Sequence, residues 1–311
     1  MARPSWRVLG IAHGVEAHAT SGKIARMSES APSTGHDDVS LKPVHGWHCL
    51  HAFYRFDRAR LAQIDPAARQ AGARQLAEIL DPTAPHAPAR VQVSATSGHK
   101  ADFGLMLLDA DPLRVDSLHQ RVLASGLGPA IEPTYSFVSL TEVSEYVPTV
   151  EQYGDRLVAE GEERGSPAFE AKLRAYRGRE EAMRRQRLEP ELPPWPSTCF
   201  YPMNKIRHPQ ANWFALDFAE RSRMMSEHGR TGMSFGGRVT QLITVALGFD
   251  DWEWGVTLWA RNPEFLKDIV YRMRFDEASA RFAEFGPFYV SYVMSAAEML
   301  THCRVTGEAA T

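Results

Sequence analysis

Two stretches of the chain repeat one another at a separation of 151 residues, and this limits the possible fold more than any single motif does. Asp102-Phe103-Gly104-Leu105-Met106-Leu107 falls on Glu253-Trp254-Gly255-Val256-Thr257-Leu258, each time an acid, an aromatic and a glycine leading into a strand-like run. Pro112 falls on Pro263. Val115, Leu118 and Val122 then fall on Leu266, Ile269 and Met273, spaced as one apolar stripe of a helix. At the same separation, residues 49–56 overlay 200–207 and residues 135–140 overlay 286–291. A match of this extent predicts two copies of one structural unit.

Each copy reads strand, helix, strand, strand, helix, strand, in the first at about 46–56, 68–80, 89–97, 102–109, 112–124 and 132–140. That βαββαβ order gives a four-stranded antiparallel sheet with both helices on one face. The expected class is therefore α+β: two ferredoxin-like repeats with antiparallel sheets, each needing a cover for its bare face. The two units can cover each other, and the space between their sheets, or between a sheet and a neighbouring helix, suits a flat apolar ligand. The expected division is a disordered tail over 1–40, a first unit over 45–147, a connector over 148–198, a second unit over 199–297 and a tail over 298–311.

With 311 residues, 44% of them apolar, the chain can bury a core without disulfides or a structural metal. A formal net charge of -3 argues against general binding to a nucleic-acid backbone, which leaves a clustered basic footprint. Cys49, Cys199 and Cys303 are odd in number and far apart, so neither a disulfide framework nor a zinc knuckle is expected. No run reaches the roughly 18 apolar residues of a membrane span, and 104–108 and 242–249 are of strand length. Residues 1–40 lack the apolar core of a secretion signal, and a cytoplasmic location is expected.

The connector carries Lys172, Arg174, Arg177, Arg179, Arg184, Arg185 and Arg187, and Pro190, Pro193, Pro194 and Pro196 then break it. It reads as a basic helix leading into a rigid turn, either solvated or reaching a ligand carboxylate through Arg187. In the strand-like run Tyr201-Pro202-Met203-Asn204-Lys205, period-two alternation puts Tyr201, Met203 and Lys205 on one face. These are either core residues with a lysine emerging at the edge, or a phenol, a thioether and an amine lining a pocket. Pro202 favours an edge strand. A helix is expected from Asp217 to His228, with Asp217 as N-cap, Glu220 completing a capping box and Gly229 as terminator. His228 then either meets the terminal carbonyls or projects toward a metal. Gln241, within a strand expected over 239–249, is a satisfied amide or a neutral donor aimed into a pocket.

The glycines of 229–237 lack both the dinucleotide fingerprint and the phosphate-loop ending. No GxSxG, HExxH or CxxC pattern is present, and His13 and His18 have no helical metal spacing.

The ordered motifs from Phe200-Tyr201-Pro202-Met203-Asn204-Lys205 through His228-Gly229 to Gly248-Phe249-Asp250-Asp251-Trp252-Glu253-Trp254-Gly255 resemble the chlorite dismutase-like superfamily, whose fold is the dimeric α+β barrel. Met273-Arg274-Phe275-Asp276-Glu277-Ala278-Ser279 and Glu284-Phe285-Gly286-Pro287-Phe288 narrow the likeness to its coproheme decarboxylase branch. The likeness covers roughly residues 45–295. It implies Fe-coproporphyrin III (coproheme) as substrate and redox cofactor, hydrogen peroxide as oxidant, and heme b as product after two propionates become vinyl groups. It also implies His228 as axial iron ligand, Tyr201 as the phenol that becomes a radical, and Lys205 as proton donor or propionate partner. Arg187 and Ser279 would bind propionates, Met203 and Trp213 would line the pocket, and Gln241 would take the distal position where chlorite dismutases carry an arginine. A homopentamer and transient contact with coproporphyrin ferrochelatase are further implications. The rival is a non-catalytic heme-binding or heme-delivery protein on the same scaffold.

Overall fold

The computed structural model describes residues 39–306. The tail expected over 1–40 lies outside these but for its last two residues. Of the described residues, 41–306 lie in one compact unit. Its first half runs β1 (His48–Phe56), α1 (Arg58–Gln63), α2 (Pro66–Ile79), β2 (Arg90–Thr96), β3 (Phe103–Asp109), α3 (Pro112–Leu123) and β4 (Ile131–Thr141). The connector supplies α4 (Val150–Ala159) and α5 (Pro167–Leu188). The second half runs β5 (Ser197–Lys205), a small hairpin of β6 (Arg207–His208) and β7 (Ala211–Asn212), α6 (Phe218–Met233), β8 (Val239–Val245), β9 (Trp254–Ala260), α7 (Pro263–Met273), α8 (Glu277–Phe282), β10 (Ala283–Phe285), β11 (Tyr289–Val293) and α9 (Ala296–His302).

Strand order shows how the halves combine. The first sheet is ordered β2-β3-β1-β4 and the second β11-β5-β9-β8, each the order of a split βαβ unit. β4 pairs with β8 through Leu140↔Val245, and β11 pairs with β2 through Ser291↔Thr96. The two sheets are thus joined at both edges into a closed eight-stranded ring in which neither repeat keeps a free edge.

Local chemistry explains the repeated signature. Both third-strand helices begin on an Asx-Pro pair: Asp111 caps α3 and Asn262 caps α7 through side-chain oxygens, with proline in the first turn. The repeated glycines make room for aromatic rings. A Cβ on Gly104 would lie 2.8 Å from the Phe53 ring, and one on Gly255 would lie 2.5 Å from Phe137. Phe53, Phe137, Phe200 and Tyr289 cluster on the inner face, with His51 stacked on Phe200 at 4.1 Å. They leave a cavity of only about 20 Å³, space for about one water. Of the two expected locations for a flat ligand, the barrel interior is therefore filled.

Four expectations need correction. Residues 298–306 are not a tail, because Met299, Leu300, Cys303 and Val305 are buried in the first repeat's core, with α9 packed on α2 and β2. β5 is not an edge strand: it lies between β9 and the β10/β11 strand. Pro202 is tolerated because it sits opposite the interruption between β10 and β11, where its carbonyl accepts the Gly286 N–H at 2.8 Å. Gly229 does not end α6, which continues to Met233, so His228 lies inside the helix rather than at its carbonyl end. The strand expected over 239–249 ends at Val245. The three cysteines are free and buried. Among the described residues no helix is long and apolar enough to cross a membrane.

Candidate active site between the second sheet and α6

Alternation along the second sheet sets one wall of the site. Tyr201, Val239, Val256 and Leu258 form one outer-face cluster, with Met203 and Ile243 packed against it. Gln241 lies between Val239 and Ile243 on that face, opposite Leu258, while Tyr201 is opposite Val256 on the far side of β9. Tyr201 is 5% exposed, stacks on Phe288 at 4.4 Å and meets Phe285 at 5.7 Å. Burial pushes its phenol pKa up. Its hydroxyl has no hydrogen-bond partner among the described residues.

The opposite wall is α6, capped by Asp217, whose side chain accepts the Glu220 N–H at 2.8 Å. The helix approaches the sheet at Gly232, where a Cβ would lie 3.2 Å from Met273 Cε and 3.7 Å from Gln241 Nε2. His228 stands four residues earlier on the same helical face. Its Nδ1 is 3.0 Å from Asp276 Oδ2 and 3.5 Å from Ser279 Oγ. A carboxylate at Nδ1 holds the ring proton there and leaves Nε2 as a lone-pair donor. Burial pushes the Asp276 carboxyl up, but the His228 and Ser279 hydrogen bonds together outweigh this and hold it below its ordinary value. Asp276 had no assigned role in the sequence. Its signal is positional, as the N-cap of α8 accepting the Ser279 N–H at 2.9 Å.

Lys205 and Arg274 bring cations to these residues. The Lys205 amine lies 4.1 Å from the centroid of the buried Trp213 ring and donates to the Ala278 carbonyl at 3.5 Å, beside Ser279. Burial pulls its pKa down to about 8, opposed by Asp276 and Glu253. Arg187, in the last turn of α5, is half-buried; burial lowers its pKa, and no carboxylate pairs with it among the described residues. Arg274, which had no assigned role in the sequence, stacks over Phe285 at 4.1 Å, and its charge is felt at Tyr201.

The structure thus joins Lys205 to Trp213 and places Lys205 beside Ser279. It also joins Ser279 to His228 and gathers Tyr201, Met203 and Gln241 on one sheet face. No described contact links Arg187 to the others. A larger groove of about 480 Å³ lies elsewhere, between α2, β2, β11 and Pro193-Pro194.

Two ferredoxin-like repeats closed into one eight-stranded barrel define a class of protein. The family model for chlorite dismutase matches residues 69–294. The chain belongs to the chlorite dismutase family. It is 34% identical to the coproheme decarboxylase of Staphylococcus carnosus, over 86% of this chain and 99% of that one. It is 32% identical to the coproheme decarboxylase of Oceanobacillus iheyensis, over 84% and 97%. A candidate heme-binding protein of Natronomonas pharaonis is 36% identical over 82% of this chain, which spans 40% of that protein's length. Among solved structures, a heme-binding protein from Thermus thermophilus superposes with a TM-score of 0.66 at 31% identity, covering 85% of this chain and 98% of that one.

Proposed function

We propose that the chain converts Fe-coproporphyrin III to heme b, using hydrogen peroxide to turn two propionates into vinyl groups. What supports this reading is that His228, with Nδ1 3.0 Å from Asp276 Oδ2 and 3.5 Å from Ser279 Oγ, is tied through α8 to the neighbourhood of Lys205 and Trp213, while the Tyr201 phenol is buried on the outer face of the second sheet. No cluster of three or more His, Cys, Asp or Glu able to hold a metal ion occurs among the described residues. A single imidazole holds a metal where the metal brings its other ligands, as an iron porphyrin does. The apolar lining of Met203 and Trp213 and the cations Lys205 and Arg187 fit a flat ring with four acid arms.

When bound with peroxide, the iron porphyrin supplies the oxidising power; the chain's residues direct it. His228, its Nδ1 hydrogen-bonded to Asp276, would hold the iron through Nε2. Tyr201 gives up an electron and its phenolic proton, then takes a hydrogen atom from the propionate carbon beside the ring. Loss of a second electron and of carbon dioxide leaves the vinyl group. One peroxide and one proton are consumed per propionate, giving one carbon dioxide and two waters. Lys205 and Arg187 hold the carboxylate near the phenol, and Lys205 can return the consumed proton. Gln241 offers a neutral amide on the sheet side, with no fixed cation to hold an anionic oxidant. A cytoplasmic homopentamer that meets a coproporphyrin ferrochelatase belongs to the same reading.

The test is anaerobic loading with coproheme, stepwise peroxide addition and product mass. Two successive losses of a carboxyl group are expected. A porphyrin that stays bound and unchanged would establish a carrier instead.

A further inference from the structure

A buried carboxylate is retained only where charge and hydrogen bonds compensate its lost hydration. The Glu253 carboxylate, 5% exposed, has two such ties, to Lys205 at the end of β5 and to Arg207 in β6. Its Oε2 accepts the Lys205 N–H at 2.9 Å; its Oε1, which accepts no hydrogen bond among the described residues, is ion-paired with Arg207 Nη1 at 2.9 Å; and the Glu253 backbone N–H donates to Asn204 Oδ1 at 2.8 Å. The first repeat contains the same device. Asp102 Oδ2 accepts the Phe56 N–H at 2.7 Å, and its Oδ1 accepts from Arg58 Nη2 at 2.7 Å. In both copies the acid ahead of the third strand fixes the last residue of the first strand and an arginine two residues on.

The clamped residues differ. Phe56 is a fully buried core side chain, already located by its packing. Lys205 ends its strand half-buried, and among the described residues its amine is held by the Trp213 face and one long bond to the Ala278 carbonyl. We propose that Glu253, with Arg207, is a positioning residue that sets where the Lys205 ammonium meets a ligand carboxylate, a role that the matching Asp102 clamp does not have. The inference rests on the reading of Lys205 as a propionate partner. Two carboxylates act on the Lys205 amine, Asp276 from the N-cap of α8 and Glu253 from just ahead of β9, and Arg207 offsets the second.

Two readouts test this. The six lysines allow the Lys205 side chain to be followed by carbon-13 NMR in the porphyrin-free protein, assigned with Lys205→Met. Glu253→Gln keeps an acceptor for the Lys205 N–H but removes the charge, and should lower the Lys205 titration midpoint. Glu253→Ala should also weaken Fe-coproporphyrin III binding by about tenfold, and Glu253→Asp, the acid used by the first repeat, should restore most of it. Asp102→Asn is the matched control, expected to lower thermal stability while leaving the Lys205 midpoint and porphyrin affinity unchanged. An unmoved Lys205 midpoint in Glu253→Gln overturns the proposal whatever the turnover. So does an equal loss of porphyrin affinity in Asp102→Asn. A protein that shows the midpoint shift but releases no carbon dioxide refutes the decarboxylase reading and leaves the clamp standing.

Discussion

The two repeats share strand order, caps and clamps, but they differ in how their first helix meets the sheet. In the first repeat α2 buries Gly72, Ala73, Leu76 and Ile79, and together with α3 and α9 it closes a continuous core. In the second repeat, α6 buries only Met224 among its 16 residues. On the second sheet's outer face the apolar cluster of Tyr201, Val239, Val256 and Leu258 is closed instead by Leu266, Ile269 and Met273 of α7, with Phe235 just after α6. The helix α2 is locked into its repeat's core, whereas α6 is held by far less burial.

The largest expected effects separate chemistry from stability. Tyr201→Phe keeps the ring that stacks on Phe288 and removes the phenolic hydrogen. Coproheme should still bind, decarboxylation should fall by a factor of about 10³ or more, and stability should move by less than about 1 kcal/mol. Full two-step turnover, followed by product mass, would remove Tyr201 from the chemistry. Leu76→Ala, at a fully buried position of α2, should do the reverse. It should lower unfolding free energy by about 2–5 kcal/mol in a denaturant titration while coproheme affinity stays unchanged. A marked affinity loss in that variant would mean that the first repeat is part of the site.

Lys205 predicts a pH dependence that the first repeat cannot share. Burial pulls its pKa down to about 8, so the free protein loses the ammonium as pH rises through that value. A bound carboxylate favours the charged form and raises the pKa, so binding takes up protons above about pH 8 and affinity must fall there. Between about pH 7 and 9 coproheme affinity should weaken by up to tenfold, and Lys205→Met should flatten the profile to whatever slope the porphyrin itself contributes. An unchanged profile in Lys205→Met would place the ammonium away from the acid arms.

Much of this architecture was legible in the sequence, because period and punctuation are local. The aligned Pro112 and Pro263 mark the starts of α3 and α7, and the paired acid-aromatic-glycine runs mark β3 and β9. Tyr201 and Met203 share a face as alternation requires. What was hidden depended on contacts distant in sequence. Pro202 reads as an edge residue until the interruption opposite it is seen, and Gly229 reads as a terminator because α6 pays no visible penalty for it within the sequence pattern. The partnership of His228 with Asp276 spans 48 residues, and that of Glu253 with Lys205 also spans 48. The residues after 297 look like a tail because their core partners lie in the first repeat.

The smallest expected effect tests the comparison most directly, since it makes one change in both copies. Asp65 caps α2 by accepting the Ala67 and Ala68 N–H groups, and Asp217 caps α6 by accepting that of Glu220. Replacing either with alanine removes about 1 kcal/mol of capping. In Asp65→Ala the loss should register globally, because α2 cannot fray without exposing Leu76 and Ile79, and thermal unfolding should shift down by a few degrees. α6 has one buried residue to resist fraying, so Asp217→Ala should leave the global transition nearly in place and instead speed amide hydrogen exchange in its first turns. Bound porphyrin, by engaging His228, should suppress that exchange in the variant. Equal global shifts and unchanged local exchange would mean that α6 is held as firmly as α2, and that the difference in burial has no energetic consequence.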